Sequence, residues 1–573
     1  MKSFNLLAPL EDFFEKKLDR IPPEKLYPRL LAVLIVLGYL PLLVPGIPAG
    51  HDTMYHLARM ISLREGFRSG IVLPLINYDS LEGFGYGAGL FYSDLYYLPF
   101  GLISALGVPP VIAYKLFLFT FGLLTAFSMY YVAKRISGRP FAGFASALLY
   151  CWSSYYATDI IIRAAVGEIM AFLFVPWCIL GLWIALYDES PKRSCLPLAL
   201  GYTGLFYSHN ITFVLMTLIG GLITAFNLPS LLRDVRRLGL LVRAGCLALP
   251  LAAFAAAPLL EQASSMSYNL TIKTSVVPVA NFMIPFPRLF LELPYMNMGV
   301  YQPPGIGIIF VIVFLQRFRI RSARSPQERF RDLCMLTGFA ALIAASEFLP
   351  WQGMMRVLAA IQFPWRFFLP ATAFAAIGGG LLLGTLLNGK PAAMLRTWLW
   401  ILLCGCAFPW GFLHCYEYAA KIHEHNMITS VSRERAAEDS TIGGHFLTRD
   451  REEDYEGLGG RSAVTSSNPD AKAEVRTPGW GRLEIDFSGF EPGDSFEIPR
   501  IYYKGYRVET PEGGTIDVSE RGHFRFRPNA SAGTALVVYR LTALHKTAML
   551  VSFLTLTGIL ICVLISKRKG SAA

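Results

Sequence analysis

Gly50-His51-Asp52-Thr53-Met54-Tyr55-His56 directly follows the first strongly apolar run, Leu30 to Ile47. Leu57 to Ser69 is a short amphipathic stretch, with Arg64 and Arg68 one helical turn apart. The loop Phe84-Gly85-Tyr86-Gly87-Ala88-Gly89-Leu90-Phe91-Tyr92 comes next. An acid between histidines, set against an apolar run, needs either a capping role or a chemical one.

The chain has 573 residues, of which 54% are hydrophobic and only 16% charged. Its mean hydropathy is +0.44. Soluble proteins average about 25% charged residues. Apolar runs of spanning length recur, which predicts a polytopic α-helical membrane protein. The net charge of +11 is then not a nucleic-acid footprint, because Lys and Arg concentrate in cytoplasmic loops and fix orientation. The nine cysteines lie mostly inside apolar runs, no CxxC occurs, and the polar region after Cys415 has none until Cys562. That polar region is therefore not a disulfide scaffold. The opening residues are charged and amphipathic, unlike a signal peptide.

Charge bias gives a topology. Residues 1–29 are expected as a cytoplasmic amphipathic segment, helical at first, and residues 30–413 as the transmembrane domain. The loop 48–110 lies outside, and its apolar segment Tyr96 to Leu106, about 11 residues, is too short to cross and lies in the interface. Spans are then expected at 111–132, 141–157, 169–186, 196–208, 211–226, 240–260, 305–315, 333–349, 367–387, 398–413 and 547–565. This order puts Lys134, Arg135, Arg139, Lys192, Arg193, Arg233, Arg236, Arg237, Arg317 to Arg331, Lys390, Arg396 and Lys567 to Lys569 on one side. The total is about twelve spans with both termini cytoplasmic.

Residues 414–544 read as an external β-rich domain, followed by a final span and basic tail over 545–573. Alternation marks strands in Arg482 to Phe487 and His523 to Arg527, and further strands are expected at Ile498 to Val508 and Ala535 to Leu541. Pro492-Gly493 and Gly513-Gly514 mark turns. The pattern fits a small β-sandwich, with 430–470 charged and partly irregular.

The topology collects polar residues at one depth. His51, Asp52 and His56 follow the first span. Arg163 and Glu168 sit in Ile162-Arg163-Ala164-Ala165-Val166-Gly167-Glu168, His209 and Asn210 at the next external hairpin, Glu261 and Tyr268 at the following loop, and Arg366 in Phe363-Pro364-Trp365-Arg366. Ionisable groups at membrane depth are costly and mark functional sites. Each also has a plainer reading. Asp52 before Thr53 can be a helix N-cap. Arg163 and Glu168 can be an interfacial ion pair, His209 and Asn210 a hairpin cap, and Arg366 a snorkelling side chain. The Tyr and Phe residues of 84–97 can be an aromatic belt. An external cavity at the lipid boundary suits an amphiphile with a phosphate head, which Arg163 and Arg366 would bind. Asp52 is the best-placed acid to take a proton from an attacking hydroxyl.

Gly50-His51-Asp52 with His56, Phe84-Gly85-Tyr86-Gly87, Arg163…Glu168, Phe363-Pro364-Trp365-Arg366 and Ile501-Tyr502-Tyr503-Lys504-Gly505-Tyr506 carry a resemblance. The chain resembles the bacterial YfhO-like and 6-pyruvoyl-tetrahydropterin-synthase-related membrane proteins, within the wider GT-C class of glycosyltransferases. That resemblance implies an enzyme of the bacterial cytoplasmic membrane with its active site on the external face. It implies transfer of a sugar from a polyprenyl-phosphate donor to an extracytoplasmic acceptor, a glycolipid or envelope polymer, with inversion. Asp52 matches the catalytic acid of the first external loop. Arg163 and Arg366 are expected at the donor phosphate, and His51, His56, Glu168, His209, Asn210 and Tyr86 at sugar or acceptor. The residue after Asp52 is Thr53 rather than a second acid, so dependence on a divalent metal stays open and no cofactor is assigned. A flippase or transporter of lipid-linked saccharides and a non-catalytic envelope scaffold are the alternatives. Apolar span centres and polar groups crowded on one face argue against a transport path.

Overall fold

The computed structural model describes residues 21–571 except 190–193, 267, 269–281, 292–294, 298–299, 321–324, 352–353, 355–360, 439–463 and 521. The expected helix in residues 1–20 and most of the irregular stretch 430–470 lie outside the described residues.

The chain starts with helix α1 (Pro23–Gly38), so the first apolar helix begins and ends earlier than Leu30 to Ile47. Pro41 lies in a short 3-10 turn at Leu40–Leu43 that ends it. Next come α2 (Thr53–Arg68), α3 (Leu98–Ala105) and α4 (Pro110–Ser137). The short apolar segment Tyr96 to Leu106 forms α3, and α4 ends on Gly138 in the left-handed region with Lys134 and Arg135 in its last turn, where cations oppose the helix dipole.

The expected single span at 141–157 is corrected. It is two helices, α5 (Pro140–Cys151) and α6 (Ser154–Ile161). Ser153 breaks the run by accepting a hydrogen bond from the Tyr156 N–H at 3.3 Å, an N-cap inside an apolar stretch. Then follow α7 (Val166–Leu186), α8 (Leu196–Ser208), α9 (Asn210–Phe226) and α10 (Val235–Ser265). The segment expected at 305–315 is only the short α11 (Ile308–Leu315), which at about 1.5 Å per residue does not cross a bilayer alone. α12 (Pro326–Ala345) starts with a capping box between Ser325 and Glu328, and α13 (Phe368–Leu386) follows. The helical stretch Met394–His423 continues past Leu413 into what reads as the polar region. The last helix, α14, is Ala543–Ser571.

Among the described residues six helices are long and apolar enough to cross a membrane, and Pro140–Cys151 and Asn210–Phe226 are shorter apolar ones. Burial separates them. The apolar stretches of α7 and α13 are 83% and 94% buried, those of α10 and α14 only 11% and 6%. Leu249, Phe553, Leu560 and Leu564 are all more than half exposed. A helix this apolar and this uncovered needs lipid around it. α7 and α13 form the centre of the bundle, and α10 and α14 pack together at its edge.

The β-region forms two four-stranded antiparallel sheets. Its strands are β1 (Thr465–Ser466), β2 (Lys472–Gly479), β3 (Arg482–Ser488), β4 (Phe496–Ile501), β5 (Tyr506–Glu509), β6 (Gly514–Val518), β7 (His523–Pro528) and β8 (Ala532–Tyr539). One sheet runs β6-β7-β4-β1 and the other β2-β3-β8-β5. The expected strand Ile498 to Val508 is corrected to β4 and β5, which lie in different sheets. The chain changes sheet at Tyr502 to Gly505. Buried residues alternate along β3, at Leu483, Ile485 and Phe487, and along β7 at Phe524 and Phe526. They interleave across the sandwich.

Candidate active site

The backbone brings Asp52 to the α6–α7 turn. His51 N–H donates to the Ile162 carbonyl at 2.9 Å and Asp52 N–H to the Arg163 carbonyl at 3.0 Å. Gly50 makes this approach possible, since a Cβ there would sit 2.6 Å from the Ile162 oxygen. Asp52 occupies the N-cap position of α2, yet its side chain makes no capping bond. Thr53 ties the turn instead. Its Oγ1 accepts from the Gly50 N–H at 2.9 Å and donates to the Pro48 carbonyl at 3.3 Å. The Asp52 carboxylate faces a cavity of about 290 Å³. Burial raises its pKa above the ordinary value. The Arg163 and Arg366 charges pull it back and Glu168 pushes it further up.

An ion network on α6, α7 and the turn just before α13 adjoins Asp52. Arg163 Nη1 donates to Asp159 at 2.5 Å and to the Tyr155 hydroxyl at 3.0 Å, and its Nη2 donates to Glu168 at 2.8 Å. Tyr155 donates to the other Glu168 oxygen at 2.5 Å. Arg366 Nη1 also donates to Glu168. Ala164 takes a left-handed φ of 53°, and this bend lets Arg163 and Glu168 meet across a turn rather than along a helix. Asp159 and Glu168 balance the two guanidinium groups, as buried charges require.

His209 both caps and faces the site. Its Nδ1 is 2.7 Å from Thr212 Oγ1 and accepts from the Thr212 N–H at 3.3 Å. Its Nε2 is 3.3 Å from Arg366 Nη1. Burial first, then the Arg366 charge, pushes its imidazole pKa down to about 3, so it works as a neutral group. On the α2 side, Arg59 bonds Asp94 through Nε at 3.0 Å and through Nη2. It stacks over Tyr92 at 4.4 Å and sets Nη1 3.3 Å from His56 Nδ1.

The structure brings together Asp52, His56, Glu168, His209, Asn210 and Arg366 around the cavity, with Tyr55, Phe91, Tyr92 and Gln362 beside them. It places Arg163 behind Glu168, its hydrogen bonds taken up by the network. His51 is exposed outside the lining. Tyr86 is 1% exposed in a core shared with the β-region, exchanging backbone bonds with Asn77 at 2.9 Å. Asp159 escaped the sequence reading, though a lone acid one turn before Arg163 on a helix is a legible pairing signal. Arg59 and Asp94 had no such signal, being 35 residues apart.

Among the described residues no group of three or more His, Cys, Asp or Glu side chains is arranged to hold a metal ion. Glu168 is spent on guanidinium groups, so the side chains present do not fit a divalent site and no step is derived through one.

Gly167 is the tightest point of the wall. A Cβ there would lie 2.2 Å from the Tyr92 hydroxyl and 2.9 Å from His209 Cδ2. Gly167→Ala is expected to displace both side chains and, on the function proposed below, to lower turnover by about 100-fold. Steady-state kinetics on monodisperse protein checks this; wild-type turnover would show the wall to be slack.

No family model matches the chain. A protein of Lactococcus lactis subsp. cremoris (strain MG1363), described as uncharacterized, is 22% identical over 335 residues, 56% of this chain and 54% of that protein. The chain therefore spans about half the length of that relative. Solved structures with some likeness include the mycobacterial arabinofuranosyltransferase AftD, with TM-score 0.42, 13% identity, 67% of this chain and 28% of AftD. Another is the oligosaccharyltransferase AglB of Archaeoglobus fulgidus, solved with an inhibitory peptide and a dolichol-phosphate, with TM-score 0.34, 11% identity, 68% of this chain and 56% of AglB. At these scores the functional reading rests on the chain's own residues.

Proposed function

We propose that the chain is a membrane glycosyltransferase that moves a sugar from a polyprenyl-phosphate donor to a hydroxyl on an extracytoplasmic acceptor. The observation that carries this is the Asp52 carboxylate. It stands at a helix N-cap without capping, and lines the same cavity as Arg366. Asp52 takes the acceptor O–H proton as that oxygen bonds to the anomeric carbon. The bond from that carbon to the phosphate oxygen breaks, the electron pair leaves with the phosphate, and the configuration inverts. Arg366 meets the growing phosphate charge. Glu168, backed by Arg163 and Asp159, fixes the Arg366 guanidinium. His56, His209 and Asn210 supply neutral hydrogen-bonding groups for the sugar or acceptor.

On this reading the cavity opens on the external face with both termini inside, as the charge bias supports, and the membrane is the bacterial cytoplasmic membrane that the resemblance implies. Incubating the purified protein with a polyprenyl-phosphate sugar and a candidate acceptor tests the reading. Expected are free polyprenyl phosphate and glycosylated acceptor in equal amounts. Release with an unmodified acceptor would mean hydrolysis. Transbilayer movement of intact donor without release would mean a flippase.

A further inference from the structure

We propose that the C-terminal β-sandwich is a positioning part of the catalytic cavity, acting through segment 75–92 and clamped to it by the buried Arg500. This deepens the glycosyltransferase reading and rests on it. Segment 75–92 belongs to the sandwich by packing. Tyr78, Phe84, Tyr86, Leu90 and Phe91 share one hydrophobic core with Leu483, Ile485, Phe496 and Phe524, separate from the core of the membrane helices. A backbone seam joins them as well, since the Ile501 N–H donates to the Phe84 carbonyl at 3.0 Å.

Arg500 closes the clamp. It is 1% exposed, its Nη1 donates to the Gly83 carbonyl, and its guanidinium lies 5.4 Å from the Tyr78 ring centroid. The turn it holds is strained, because Leu81 and Glu82 both take left-handed φ values, 52° and 53°. L-residues rarely adopt that region without outside support. The other end of the segment enters the cavity. Phe91 and Tyr92 line it, and Tyr92 abuts Gly167 and carries the Arg59 guanidinium. The sandwich also grips α10 near its end, where Lys504 N–H donates to Gln262 Oε1 at 2.9 Å and Gln262 Nε2 donates back to the Lys504 carbonyl at 2.7 Å. Arg500 is not among the residues that line the cavity, and so acts as a positioning residue.

The test uses full-length protein in lipid nanodiscs, with Arg500→Met alone and combined with Glu82→Gly. Amide hydrogen exchange is read over 84–92, with β7 as internal reference, alongside turnover and KM. In Arg500→Met, exchange over 84–92 should rise about tenfold while β7 stays protected, and turnover should fall at least tenfold. Glu82→Gly, which relieves the strained turn, should restore part of both. Unchanged protection at 84–92, equal loss at β7, or faster exchange at unchanged turnover would each overturn the proposal. The exchange reading stands apart from the transfer reading. A wild type that releases no polyprenyl phosphate sinks the transfer reading, while its exchange pattern still tests the clamp.

Discussion

Asp52→Asn is expected to lower sugar transfer by a factor of about 100 to 10,000, the range over which a positioned base acts, with the protein still folded. Asparagine keeps the size of the side chain and removes its charge. The backbone bonds that place residue 52 use its N–H and carbonyl, and the side chain makes no capping bond to lose. The pH behaviour carries the same sign. Burial holds the Asp52 pKa above the ordinary carboxylate value, and a base must be ionised to act. Transfer should therefore rise with pH through a midpoint above that value. Stability should run the other way. The fold favours the neutral acid, so this residue's contribution is present at low pH and lost as pH rises through the raised pKa. Asparagine does not titrate, so Asp52→Asn should melt no lower than wild type at neutral pH. Wild-type turnover in Asp52→Asn, or transfer that falls as pH rises through this region, would remove Asp52 from the role of base.

Glu168→Gln should damage the fold itself. Glu168 is 1% exposed and bonds both Arg163 and Arg366. Removing its charge leaves one guanidinium too many in a buried network, and breaking such a pair typically costs about 3–5 kcal/mol. A large drop in melting temperature in detergent, with transfer abolished, is the expected result. Arg163→Met should also be harmful because it strands the buried Asp159, while Glu168 keeps Arg366. The double variant Arg163→Met with Glu168→Gln should be less destabilised than the sum of the singles, since the charges are lost as a pair. Additive losses would mean that the two residues are not energetically coupled.

The parts of the molecule that announce themselves in sequence are those governed by local pattern. The alternation in Arg482 to Phe487 and His523 to Arg527 marked two strands because one face of each enters a core. The exact helix at 196–208 followed from one apolar run. Local pattern could not show the break at Trp152 and Ser153, because apolar residues continue on both sides and a single serine cap decides it. Nor could it show that Ile498 to Val508 changes sheet, which depends on where each half finds partners. At the site, Asp52, Glu168 and Arg366 were legible as costly polar groups at the ends of apolar runs. Asp159, one turn before Arg163, carries a legible pairing signal of its own, whereas Arg59 with Asp94 is joined only by folding. The resemblance put Tyr86 at the sugar or acceptor. Tertiary packing instead assigns it to the core shared with the sandwich, while its neighbours Phe91 and Tyr92 reach the cavity.

The most direct measurement is an experimental structure of the protein in nanodiscs with polyprenyl phosphate bound. The phosphate is expected against Arg366, inside the cavity bounded by Asp52, Glu168 and His209, with the prenyl chain leaving toward lipid. A phosphate bound away from Arg366, or a cavity without phosphate at saturating concentration, would contradict the assignment of this cavity as the donor site.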